Sequence, residues 1–94
     1  MPRRRQRAGF TRRSVDVPRR VTVFHAEGCH LCERALEVVE AAREELGFEL
    51  EVVDIGGDPE LGARYRERLP VIEIDGEPAF TFFVTPAALR AALA

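Results

Sequence analysis

The chain has 94 residues, and its 14 basic side chains, all arginine, stand against 16 acidic ones for a formal net charge of −2. That length holds one small domain. Two cysteines rule out a multi-bridge secreted framework, and no window reaches the ~18 apolar residues of a membrane span. Residues 1–20 carry eight Arg and one acid, Asp16, whereas residues 21–94 carry six Arg and fifteen acids, so the acidic body argues against nucleic-acid binding.

Residues 1–18 read as a disordered Arg-rich tail, because clustered Arg with Pro, Gly and Gln cannot bury enough surface to offset ordering entropy. A solvated tail or a start codon placed too early is the plain account; contact with RNA, an acidic partner or the acidic body is the alternative. The tail is basic but has no apolar stretch behind it, so it is not a secretory signal, and a cytoplasmic location is expected.

Residues 19–94 form the domain. Val21-Thr22-Val23-Phe24 predicts a buried strand over about Arg20–Ala26. Ala35, Val38, Val39, Ala42 and Leu46 then recur at helical spacing, so a helix is expected from about Leu31 to Leu46, stopped at Gly47. Phe48, Leu50 and Val52 alternate with Glu49 and Glu51, which suits an edge strand over Phe48–Asp54. Asp58 and Pro59 then cap and open a short helix to about Arg66, with Leu61 and Tyr65 on one side. A third strand, Val71–Ile74, turns at Asp75-Gly76 into a fourth, about Ala79–Phe83. Thr85-Pro86 caps a last helix with Leu89 and Leu93 inward. The order βαβ–αββα gives a four-stranded mixed sheet flanked by helices, an α/β fold.

Chemistry concentrates in Cys29-His30-Leu31-Cys32, where the first strand gives way to the helix. A helix N-terminus favours a thiolate over a thiol. Cys29, just before the helix, is expected to carry the exposed attacking sulfur, and Cys32, about a turn in, the partly covered resolving one. Half of a zinc site is the alternative, but a compact site using His25 and His30, the only histidines, would be geometrically awkward, so no metal is expected. His30 either tunes the Cys29 thiolate or points into solvent; His25 is expected to bond to backbone. Arg66 and Arg68 precede the Leu69-Pro70 loop and either meet an anionic substrate or, the commoner case, pair with surface acids. Arg34 and Arg43 are expected to pair with Glu37, Glu40 and Glu44 along the first helix.

Three groups of residues carry a resemblance: Phe24 to Glu33 around the cysteines; Val53-Asp54-Ile55 with Asp58-Pro59-Glu60-Leu61; and Tyr65 to Pro70-Val71-Ile72 with Asp75-Gly76. From about Arg20 onward the chain resembles the thioredoxin-like fold, glutaredoxin branch, and most closely the small bacterial glutaredoxin-like proteins with a Cys-His-Leu-Cys motif. The resemblance implies a cis Leu69–Pro70 bond, with the backbone before Pro70 pairing with substrate like an added strand. Two departures from glutaredoxins stand out. His30 and Leu31 replace Pro and an aromatic residue between the cysteines, and Phe83-Val84-Thr85-Pro86 replaces the Gly-Gly-Asp segment that holds glutathione. Thr85 could still offer a hydroxyl and backbone N–H groups to a carboxylate, so glutathione is expected to be at most a weak co-substrate.

These features point to a thiol–disulfide oxidoreductase with no tightly bound cofactor. It would act on a disulfide-containing protein or small thiol and draw electrons from glutathione or a thioredoxin reductase system. The alternatives are a carrier of an iron–sulfur cluster or metal through Cys29, and a non-catalytic redox-sensing interaction module.

Overall fold

The computed structural model describes residues 19–94; the expected Arg-rich tail, residues 1–18, lies outside the described residues. In chain order the described elements are β1 (Arg20–His25), α1 (His30–Leu46), β2 (Glu49–Asp54), a 3-10 turn (Ile55–Gly57), α2 (Pro59–Tyr65), a second 3-10 turn (Arg66–Arg68), β3 (Val71–Ile74), β4 (Glu77–Thr81) and α3 (Pro86–Leu93). One mixed sheet runs β2-β1-β3-β4, with β1 parallel to β2 and antiparallel to β3, and β3 antiparallel to β4.

Strand periodicity divides the core into two layers. Val21 and Val23 of β1 and Ile72 and Ile74 of β3 join Ala35, Val39 and Ala42 of α1 and Leu89 of α3 in one cluster. Phe24 and Val71, on the opposite face of the same strands, pair with each other in register and pack with Ile55 and Tyr65 in the other. A strand covered on both faces reads as an unbroken apolar run, which is why Val21-Thr22-Val23-Phe24 lacks alternation. Each large side chain fully buried this way contributes roughly 1.5–3 kcal/mol of transfer free energy.

The helix ends follow their local signals. Gly47 donates its N–H to the Arg43 carbonyl at 2.8 Å, Asp58 Oδ1 accepts from the N–H groups of Glu60 and Leu61, and Thr85 Oγ1 accepts from Ala88 N–H. Leu93 is half-buried against the first cluster, beside the fully buried Leu89.

Three expectations need correction. The fourth strand spans Glu77–Thr81 rather than Ala79–Phe83, because a two-residue turn brings Glu77 directly opposite Ile74. Pro78 lies inside it, tolerated because β4 is an edge strand with a register irregularity opposite that point. Phe82 and Phe83 therefore fall beyond the strand. Val52 is 44% exposed; β2 is the edge strand predicted, and its apolar face loses cover toward its end. Neither Arg34 nor Arg43 forms an ion pair among the described residues, where Arg90 pairs with Glu45 and Arg20 with Glu49 instead. Long exposed side chains gain little from such pairing in water.

Candidate active site

The end of β1 opens onto a tight turn in which Cys29 N–H donates to the Ala26 carbonyl at 3.3 Å. Gly28 has φ 79° there, a conformation that a side chain would oppose. Cys29 is the N-cap of α1, with extended backbone (φ −93°, ψ 106°), and its Sγ accepts the Cys32 N–H at 3.2 Å. Its carbonyl takes the Glu33 N–H at 3.1 Å. Sulfur thus fills the place usually held by a Ser or Asp oxygen, facing free N–H groups and the positive end of the helix dipole.

Cys29 and Cys32 are bonded to each other, with their α-carbons 5.2 Å apart. The two sulfurs differ in access: Cys29 is half-buried, whereas Cys32 is 1% exposed and lies on the buried stripe of α1 with Ala35, Val39 and Ala42. Reduced, the pair offers one reachable sulfur next to a second held one helical turn away. This is a thiol redox centre.

The neighbouring positions fall as follows. His30 projects into solvent with its side chain 92% exposed and Nδ1 3.7 Å from Glu33 Oε1. Phe24 pairs antiparallel with Val71, so the Leu69-Pro70 loop that leads into β3 lies at the end of the sheet where β1 runs into the turn that carries Cys29. The Leu69–Pro70 peptide is cis, Pro70 is buried, and Leu69 holds an extended backbone (φ −65°, ψ 145°). Thr85 caps α3, three residues beyond Phe82. Among the described residues no hydrogen bond joins Thr85 or His30 to either cysteine.

Residues 82 and 83 belong to this end of the sheet, just past the last strand. Phe82 N–H donates to the Pro70 carbonyl at 3.0 Å, and Phe83 N–H to the Thr81 carbonyl at 2.8 Å. The second bond closes a three-residue turn around Phe82, whose φ is 72°. The two residues are 45% and 72% exposed, and Leu31 between the cysteines is 46% exposed. The only advance signal was negative: this segment replaces the polar, glycine-rich one of glutaredoxins.

Arg66 and Arg68 make no ion pair among the described residues, which corrects the expectation that they meet surface acids. Each is engaged locally: Arg68 Nη2 donates to the Arg64 carbonyl at 2.6 Å, and Arg66 lies over Gly62. Among the described residues no group of three or more His, Cys, Asp or Glu side chains is placed to hold a metal ion, and no helix is long and apolar enough to cross a membrane.

Residues 20–94 match the family model described as glutaredoxin-like domain (DUF836). An uncharacterized protein of Mycobacterium bovis is similar at 33% identity, over 79% of this chain and 81% of its own length. The solution structure of protein Ne2328 from Nitrosomonas europaea superposes with a TM-score of 0.71 at 30% identity, covering 89% of this chain and 100% of that one. A thioredoxin from Halobacterium salinarum superposes with a TM-score of 0.63 at 23% identity, covering 83% and 74% of the two chains, which bears on the fold alone. The architecture is the thioredoxin-like α/β fold.

Proposed function

The chain belongs to the glutaredoxin-like domain family, and on that premise we propose that it is a thiol–disulfide oxidoreductase that reduces protein or small-molecule disulfides in the cytoplasm. The observation that supports this best is the asymmetric pair: a half-buried Cys29 at the helix N-cap, with its sulfur on a backbone N–H, bonded to a buried Cys32.

The Cys29 thiolate attacks one sulfur of the substrate disulfide. A bond forms from Cys29 Sγ to that sulfur, and the other sulfur leaves as a thiolate that takes a proton from solvent. Cys32 then gives up its proton and attacks Cys29 Sγ, closing the internal disulfide and expelling the second substrate thiol. The substrate gains two electrons from the protein and two protons, one from solvent and one from Cys32. A thiol reductant, glutathione or a thioredoxin reductase system, restores the dithiol. The extended backbone at Leu69, next to Pro70, pairs with the substrate chain. His30 modulates the thiolate from solvent. Thr85 Oγ1 already accepts the Ala88 N–H at 3.1 Å, so it offers a carboxylate only its proton, and glutathione binds weakly.

Cys29→Ser should abolish exchange, and Cys32→Ser should accumulate a mixed disulfide on Cys29, read by intact-mass spectrometry after incubation with a peptide disulfide. Adduct on Cys32 in the Cys29→Ser protein would reverse the assigned roles. Brown, visible-absorbing protein on purification would favour carriage of an iron–sulfur cluster through Cys29 instead.

A further inference from the structure

Arginines in the described part of this chain are outnumbered by carboxylates, eight to fifteen. Arg19, Arg20 and Arg90 each find a carboxylate partner. Arg64, Arg66 and Arg68, within five consecutive residues, find none among the described residues, and they line one open cavity of about 570 Å³ with Pro59, Gly62 and Glu67. Glu67 is the single acid on its wall.

The three exposed guanidinium groups lie against the segment that carries them. Arg64 and Arg68 approach the Tyr65 ring, at 5.8 and 5.9 Å from its centroid. That ring is itself fixed: it stacks on Phe24 at 4.3 Å, and its hydroxyl donates to Glu73 Oε2 at 2.9 Å. Arg68 also spends a donor on the Arg64 carbonyl, as a cation at a helix C-terminus does; the remaining donors of its guanidinium stay free for a ligand. Arg66 occupies the space left by the missing side chain of Gly62, where a methyl group would sit 2.9 Å from Arg66 Nη2. A cation with contacts of its own, as Arg68 has, loses less entropy on meeting an anion.

We propose that this arginine cavity docks an acidic segment of a protein substrate, next to the disulfide that Cys29 attacks; the inference rests on the exchange function proposed above. Position supports it, because Arg68 stands two residues before Pro70, and the Phe24–Val71 pairing puts that loop at the cysteine end of the sheet. Size supports it too. The wall from Pro59 to Arg68 is about 14 Å long at helical rise, the span of about four extended residues. A nucleic acid fits less well, because the rest of the described surface is acidic and would repel a long polyanion.

The test uses the full chain and the triple variant Arg64→Gln/Arg66→Gln/Arg68→Gln. The residue 1–18 segment is the same in both, so their difference reads the cavity alone. The substrates are a peptide disulfide flanked by Glu and Asp, its Gln and Asn twin, and neutral 2-hydroxyethyl disulfide, with dithiothreitol as reductant. The wild-type protein should prefer the acidic peptide in kcat/KM. The triple variant should lose about tenfold on it, the combined effect of three exposed ion pairs, with 2-hydroxyethyl disulfide turnover unchanged. Raising the salt to about 1 M, where the Debye length is about 3 Å, should erase the wild-type preference. Gly62→Ala should displace Arg66 and weaken the acidic peptide severalfold while leaving the helix intact. Equal rates on the two peptides would overturn the proposal, as would an RNA oligonucleotide that competes more tightly than the acidic peptide. If no disulfide is turned over, the exchange function fails by itself; anisotropy of the labelled acidic peptide, with and without the three arginines, then decides the docking separately.

Discussion

The two ends of the sheet are built on opposite terms. At the hairpin end, Asp75 and Gly76 take φ of 54° and 85°, as a two-residue turn between right-twisted strands requires. Asp75 Oδ1 accepts the Arg20 N–H at 2.9 Å, its other oxygen meets Arg19, and Arg19 also reaches the Leu93 carbonyl. At the cysteine end a phenylalanine holds φ 72°, two aromatic residues stand exposed, and a half-buried cysteine caps a helix. One end satisfies its groups within the chain; the other keeps apolar surface and a helix N-terminus available to a partner. Departures from local rules cluster where a chain works on something else.

Exchanging the backbone demands of the two ends is the sharpest way to break this contrast. Gly76→Ala places a methyl in open space but at φ 85°, so its cost is conformational alone, roughly 1–2 kcal/mol. In a domain of this size that lowers Tm by roughly 4–8 °C per kcal/mol. Phe82→Gly should behave differently. Release from φ 72° favours the variant by about the same amount, while loss of the ring's remaining contacts and the greater freedom of glycine in the unfolded chain oppose it. Net stability should stay within about 1 kcal/mol of wild type, but kcat/KM on a peptide disulfide should fall severalfold. Calorimetry and peptide reduction assays on both variants check this. A Phe82→Gly protein as damaged as Gly76→Ala, or one with full activity, would remove the distinction between the ends.

The same division explains how much was legible in the sequence. The hairpin turn, the Asp58, Thr85 and Gly47 caps, the α/β order and the edge position of the second strand each follow from a few adjacent residues. The cysteine motif was equally local: N-cap position, sulfur on an N–H and the unequal burial of Cys29 and Cys32 all stem from where one helix begins. What was not legible depends on contacts across the sheet. Phe82 and Phe83 read as the end of a strand, because only the Phe82 N–H on the Pro70 carbonyl, twelve residues away, turns them out of it. The placement of Arg64, Arg66 and Arg68 was hidden for a similar reason. It needs Tyr65 fixed by Phe24 and Glu73, and the space above Gly62, neither of which a linear pattern reveals.

The smallest effect separates charge from geometry at the hairpin end. The Arg20 backbone N–H, followed by the Arg19 side chain, holds the Asp75 carboxyl below its ordinary value of 3.8. A carboxyl whose pKa is lower in the folded state adds stability that is fully present above the unfolded value and is lost as pH falls through the folded one. Asp75→Asn keeps an oxygen for the Arg20 N–H but removes the charge facing Arg19. It should therefore be slightly less stable than wild type at pH 7, and the gap should close as the pH drops below about 4, where the unfolded carboxyl itself takes up a proton. Urea midpoints of both proteins at pH 7 and near pH 2.5 measure this. A gap that persists in acid would show that the turn depends on the shape of the aspartate rather than its charge, and the hairpin end would then owe its closure to backbone geometry and hydrogen bonding alone.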